Sequence, residues 1–329
     1  MRIFVFEHIT GGGLRHEALP ASLAREGDVM LRALADDLTD IPGVEVLVTR
    51  DPRLQALPDA VTTLPLRDGE SLEALFRRGC RRADAVWPIA PESGGVLATL
   101  TDLAFNSGRC LLGSAPAAVH LCTSKRATAE HLRDAGIAVV PTYAGIATLP
   151  ARMESIVIKP DDGAGCVDTR LFRRADALAW WSNHSHAGHV LQPYLPGEAL
   201  SLSLLCKAGR CQILTCNRQR VRIADGEFHF DGVNVNEAHA SIDQLAGLAD
   251  QVAAAIPGLW GYVGVDLILT AEGPVVLEVN PRLTTSYAGL RRALHCNPAA
   301  LVLGLTQNGQ VSERRSFAST VVDVEVGHA

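Results

Sequence analysis

Residues 261–287, GYVGVDLILTAEGPVVLEVNPRLTTSY, constrain the fold more than any other part of the chain. Two apolar, β-branched runs, 262–269 and 275–279, flank the polar break 271–273, which is the signature of a hairpin. A three-residue loop with glycine in the left-handed position is a favoured connection. That loop sets Thr270 against Pro274, and counting back sets Asp266 against Glu278. Side chains alternate along a strand, so Asp266, Glu278 and Asn280 share one face of an otherwise greasy hairpin.

Two buried carboxylates are costly unless a cation or hydrogen-bond donors compensate them. A hard cation such as Mg²⁺ suits them, and it usually binds through one or two carboxylates together with substrate phosphates. Arg282 follows two residues after Asn280 and offers a planar fork for phosphate or carboxylate. The competing reading is a solvated outer face of an edge hairpin, since single exposed acids are common. Two acids, an asparagine and an arginine around valine-rich strands favour a site.

The rest of the chain must supply what such a site needs. At 329 residues it exceeds one ordinary core and implies two or three domains. A net charge of −6 argues against a general nucleic-acid binder. No run is long and apolar enough for a membrane span, and Glu7 interrupts the opening MRIFVFEH where an export signal would stay apolar. The expected location is the cytoplasm, with no membrane partner. Eight cysteines include no Cys-x-x-Cys pair, so neither a zinc nor a disulfide framework is expected. Lysine occurs only at 125, 159 and 207, and the other 27 of 30 basic residues are arginine. Each lysine is thereby a candidate for a role in which a compact ammonium is preferred.

In chain order, strands at 2–7, 44–49, 84–89 and 110–112 alternate with helical stretches at 28–38, 72–82 and 96–106. This pattern predicts a parallel, helix-covered sheet, an α/β domain over 1–115. A helix is expected over 117–135, ended by Gly136. The strand 155–159 ends in Lys159 and runs into 161–166, DDGAGC, whose small residues let backbone N–H groups approach anionic oxygens. The hairpin 201–206/211–216 carries Lys207 at its tip, where a solvated lysine is expected. Arg218, Arg220 and Arg222 share one strand face, which suits either an anion or solvent. Residues 224–240 read as an irregular stretch and a candidate active-site loop. Helices follow at 242–256, 288–294 and 297–305, with a last strand over 319–326.

The order of these features is similar to that of the ATP-grasp superfamily: lysines at 125 and 159, the loop after the second, the QPYLPGE hinge, and the DLIL…LEVNPR hairpin. The resemblance covers roughly residues 115–305. It implies a Rossmann-like pre-ATP-grasp domain followed by a two-lobed ATP-grasp domain, α/β overall and α+β in its C-terminal part. The lobes would be a small lid, 116–190, and a large lobe, 191–329. It also implies ATP as cosubstrate, with Lys125 and Lys159 on its phosphates and Gly163 and Gly165 in the covering loop. Gln192, Tyr194 and Leu195 would hold adenine, and Glu198 the ribose. Asp266, Glu278 and Asn280 would ligate Mg²⁺, with Mn²⁺ as the alternative ion. Arg282, and one of Arg218, Arg220 and Arg222 with Arg220 preferred, would contact the reacting groups. Asp161 and Asp162 depart from more glycine-rich loops, and they would repel triphosphate unless they point away.

Within the superfamily, FEHITGGG and NPRLTTSYAGLR resemble the tyramine–glutamate ligases of methanofuran biosynthesis and their bacterial counterparts for methylofuran, with tyrosine in place of tyramine. The resemblance implies a carboxylate–amine ligase whose partners are small molecules, working through an acyl phosphate. Dimers are common among such enzymes, so a homodimer is compatible with it. The alternatives are another amino-acid or peptide ligase of the superfamily, or a nucleotide-binding regulator that transfers nothing.

Overall fold

The computed structural model describes the chain except for residues 185, 308, 312–319 and 327–329. The first sheet is built from β1 (Arg2–Glu7), β2 (Glu45–Thr49), β3 (Val61–Leu64), β4 (Ala85–Ile89) and β5 (Cys110–Leu111), all parallel in the order β3-β2-β1-β4-β5. Helices α1 (Ala21–Thr39), α2 (Leu72–Cys80) and α3 (Val96–Asn106) cover it. Alternation in β1 explains the layering: Ile3 and Val5 pack on the α1 side, while Phe4 and Phe6 join Phe76 of α2 on the other. The short β3 was not expected, because Thr62 and Thr63 break its apolar run and both are exposed.

The expected helix over 117–135 is two helices, α4 (Pro116–Thr123) and α5 (Lys125–Asp134). Ser124 leaves helical geometry and caps α5, its hydroxyl accepting from Ala127 N at 3.0 Å. Lys125 therefore stands at the first position of a helix rather than inside one.

The second sheet is antiparallel and nine-stranded. Its path is β13 (Gly273–Asn280), β12 (Gly261–Thr270), β9 (Glu198–Lys207), β10 (Arg210–Ala224), β11 (Glu227–Val235), β7 (Arg170–Arg173), β6 (Ser155–Pro160) and β8 (His189–Pro193), with β14 (Val322–Glu325) paired to β11. A small lobe holds β6 (Ser155–Pro160), β7 (Arg170–Arg173), α6 (Arg174–Asn183) and β8 (His189–Pro193). The large lobe holds β9 (Glu198–Lys207), β10 (Arg210–Ala224), β11 (Glu227–Val235), α7 (Ile242–Ala255), β12 (Gly261–Thr270), β13 (Gly273–Asn280), α8 (Tyr287–Leu294) and α9 (Pro298–Thr306). Most of the stretch expected to be irregular, 224–240, is thus strand β11. Its polar residues are tolerated because its ladder partners satisfy the backbone and its side chains are only half-buried.

A further correction comes from packing. Lys207 is not a solvated tip: its Nζ donates to the carbonyls of Leu305 (2.7 Å) and Gly309 (2.8 Å), at and just past the C-terminal end of α9. The N-terminal sheet and the large lobe share one core, in which α1 packs against α8 and α9. Tyr287 Oη donates to the buried Asp37 at 2.9 Å across this junction. Burial raises the Asp37 carboxyl to about 6. The junction fixes α1 and the loop after β4 against the hairpin β12–β13.

Candidate active site

A cleft of about 270 Å³ lies between the small lobe, the large sheet and the N-terminal domain. Its floor is the hairpin. Asp266 pairs with Glu278 as expected, but by a different route. The turn is one residue shorter, setting Thr270 against Gly273, and a β-bulge at Leu277 restores the register. Because of the bulge, Leu277 and Glu278 both line the cleft, followed by Asn280. Asn280 Nδ2 donates to Asp266 at 3.1 Å, and Gln219 Nε2 donates to the other oxygen at 2.9 Å.

The two acids differ sharply. Burial, then the charge of Glu278, pushes the Asp266 carboxyl far up. Burial opposes ionisation of Glu278 too, but Lys125 and Lys159 outweigh it and lower that carboxyl to about 2. Lys125 Nζ lies 3.3 Å from Glu278 and also donates to the Gly163 carbonyl. Lys159 is deeply buried, and desolvation lowers its ammonium to about 8 despite Glu278. Repulsion between facing carboxylates is what a divalent cation relieves, so this pair with the Asn280 amide fits Mg²⁺. Among the described residues no group of three His, Cys, Asp or Glu could hold a metal. Two carboxylates and an amide suit an ion that completes its shell with phosphate oxygens.

The small-residue loop hangs over this floor. Gly163 and Gly165 line the cleft, the latter with φ +64°. Asp161 and Asp162 point away. Asp161 accepts from Ser124 Oγ (2.6 Å) and Arg126 N (2.8 Å), and Asp162 accepts from Gly94 N (2.8 Å). At the other end Gln192, Tyr194 and Leu195 line the cleft beside the apolar Val221, Ile223, Phe228 and Phe230. The Gln192 side chain is spent on Thr142 Oγ1 at 2.8 Å.

Two candidates lie elsewhere. Ala199 and Ser201 face the cleft, so Glu198 has the parity of Leu200, which is in the core beyond the sheet. Glu198 is exposed and pairs with Arg218 at 3.0 Å. On β10 Gln219, Val221 and Ile223 line the cleft, leaving Arg218, Arg220 and Arg222 to the far face. Arg220 is held there by Asp323 and Asn234, and Arg222 pairs with Asp231 at 3.3 Å.

Arg282 lines the cleft, but its Nε and Nη2 are held by Glu92 of the N-terminal domain at 2.9 and 2.7 Å. Burial disfavours the guanidinium, and Glu92 more than reverses this, keeping it charged. Glu92, Gln219, Glu26, Thr284 and Thr285 went unnoticed in the sequence. Strand alternation beside the three arginines was the available signal for Gln219.

Residues 44–119 match a pre-ATP-grasp domain, and residues 122–286, half of the chain, match an ATP-grasp domain. The chain belongs to the ATP-grasp superfamily. It is a ligase of the carboxylate–amine, ADP-forming kind within that superfamily. It is 26% identical over 292 residues to tyramine–L-glutamate ligase of Methanocaldococcus fervens, an alignment covering 88% of this chain and 89% of that one. Its fold superposes on an ATP-grasp superfamily protein from Archaeoglobus fulgidus with a TM-score of 0.73 at 23% identity, covering 99% of both chains. An L-amino acid ligase from Bacillus licheniformis gives 0.63 at 16% identity, covering 92% of this chain and 73% of that one. No helix among the described residues is long and apolar enough to cross a membrane.

Proposed function

We propose that this ATP-grasp ligase joins the γ-carboxylate of glutamate to the amine of tyramine or tyrosine. The observation that carries the chemistry is the Lys125–Glu278–Asp266 arrangement under a small-residue loop, with Lys159 buried beside it. The likeness over nearly the whole chain to a tyramine–L-glutamate ligase supports the substrate pair.

In this reading Lys125, Lys159 and the backbone around Gly163 and Gly165 hold the ATP phosphates. Gln192, Tyr194 and Leu195 receive adenine against the apolar wall. Asp266, Glu278 and Asn280 hold Mg²⁺, which when bound neutralises phosphate charge. Arg282, oriented by Glu92, faces the transferred phosphoryl group. Glutamate takes that group to become an acyl phosphate, and the amine then displaces phosphate. Such catalysis is positioning and charge neutralisation, and the chain needs no nucleophile of its own. A nucleotide-binding regulator would not require opposed carboxylates beside two lysines. The test is a panel of amines offered with glutamate, ATP and Mg²⁺, read by product mass and ADP release. An amide of glutamate with tyramine or tyrosine supports the reading, and ADP release only with a different acid or amine refutes the substrate pair.

A further inference from the structure

The mechanism above leaves one cleft acid without a role. Glu26 stands in the second turn of α1, half-buried, and lines the cleft opposite the lysines. Thr285 Oγ1 donates to its Oε1 at 2.5 Å. Its Oε2 faces the small-residue loop, 3.7 Å from where a side chain on Gly165 would begin. Among the described residues it forms no direct ion pair; the Arg282 guanidinium, which feels its charge, is held by Glu92 instead.

The placement of Glu26 is built into the fold. Glu7, at the end of β1, is buried and accepts from Ile9 N, Thr10 N and Thr10 Oγ1. A Cβ on Gly27 would lie 2.6 Å from Glu7 Oε2, so only glycine lets α1 come this close. The opening FEHITGGG and the glycine after Glu26 thus set where Glu26 sits. The sheet order β3-β2-β1-β4-β5 makes β1 and β4 its switch point, and open α/β sheets bind ligands outside the carboxyl ends of such strands. Glu26 and Glu92 flank that crevice.

We infer that Glu26 is the ammonium site for the amine substrate and accepts the proton that amine must lose. This rests on the ligase reading above. A primary alkylammonium titrates near ~10.4, as lysine does, so it arrives charged and without a lone pair. A half-buried carboxylate that no cation contacts directly attracts it, and the Thr285 hydroxyl fixes the carboxylate's orientation. Glu26 takes one proton from nitrogen, and the freed pair forms the C–N bond as the acyl C–O bond to phosphate breaks. The second proton leaves with the phosphate, and Glu26 returns its own to water.

The test compares wild type with Glu26→Gln, first by binding of tyramine and its uncharged analogue tyrosol to the full chain with MgADP. Wild type should bind tyramine at least 10-fold more tightly than tyrosol, and the variant should bind the two alike. Tyramine binding unchanged by the substitution overturns the inference. The second arm replaces the amine with hydroxylamine, which is largely uncharged at neutral pH. Glu26→Gln should lose at least 100-fold with tyramine while making hydroxamate from glutamate and ATP within about 3-fold of wild type. Equal losses with both nucleophiles would assign Glu26 to the metal or the fold and overturn the inference. If wild type binds tyramine through Glu26 but never consumes ATP, the ligase reading fails and the ammonium site stands. Glu26→Asp, one methylene shorter, should recover tyramine binding in part; no recovery counts against a charge-based site.

Discussion

Asp266 stands opposite Glu278 across the β12–β13 ladder, and Leu277 is the residue left over. With this turn and no bulge, Asp266 would face Leu277 instead. The extra residue therefore puts the second carboxylate where Lys125 can reach it at 3.3 Å. Glu278→Gln keeps the shape and removes the charge. ADP formation should fall by 100-fold or more, about 3 kcal/mol, the loss seen when one group stabilising developing charge is removed. Thermal unfolding of the variant should stay cooperative; activity within a few-fold of wild type would remove Glu278 from the site.

The Arg282–Glu92 pair joins residues 190 apart in sequence and is largely shielded from water. Breaking such a pair leaves an uncompensated charge, which typically costs ~3–5 kcal/mol, while replacing both partners by apolar groups is often nearly neutral. Glu92→Leu alone should lower the urea midpoint clearly. Glu92→Leu with Arg282→Met should recover most of that stability and no activity. Equal stability of single and double variants would show that the pair is not coupled.

Arg220 and Gln219 are neighbours on β10 with opposite prospects. Arg220 turns to Asp323 on the far face, and Gln219 donates to Asp266 in the cleft. Arg220→Ala should leave kcat within about 2-fold, in keeping with ~0–1 kcal/mol for a partly exposed pair. Gln219→Ala removes a donor from a buried carboxylate, ~1–3 kcal/mol, and should raise the Mg²⁺ concentration needed for half-maximal ADP formation. The reverse ranking would put the arginine face at the site.

These two residues also show what the sequence could and could not disclose. Period-two alternation placed the three arginines together on one face, but alternation cannot say which face meets the cleft. That depends on where α5 and α7 pack, information spread over distant parts of the chain. The same blindness explains Glu198, whose parity with Leu200 turns it outward. The hairpin pairing was legible because β-branched runs and a polar turn are local signals, although the turn length and the bulge offset each other. The alternating strands and helices of the N-terminal domain were legible for the same reason. Glu26 and Glu92 were hidden, since they matter only through contacts with residues about 260 and 190 positions away, respectively.

Lys207 supplies a control for the other two lysines. Its ammonium closes the carbonyl end of α9 and is not part of the cleft lining. Lys207→Met should keep the packed stem and lose two charge-assisted hydrogen bonds, typically ~1.5–3 kcal/mol each, partly offset by relief of the buried charge. A lower unfolding temperature with unchanged kinetics is expected; a loss of ATP affinity would contradict the purely structural role.

Lys159 gives the most direct pH signature. Burial lowers its ammonium from 10.5 to about 8 in the ligand-free protein. Between these values the unfolded chain holds a proton that the folded chain has released. This group therefore adds stability as pH rises from about 8 to 10.5 and disfavours the folded state below that window. Nucleotide phosphates act in the opposite sense, since an anion beside the ammonium favours its charged form. At pH 9 ATP binding should then draw up to one proton from solution, and at pH 6.5 Lys159 should contribute none. Calorimetry at pH 9 in two buffers of different ionisation enthalpy measures the uptake. Lys159→Arg, whose guanidinium stays charged throughout, should abolish it while retaining a cation for the phosphates. Uptake that persists in the variant would place the titrating group elsewhere and leave Lys159 without a phosphate to hold.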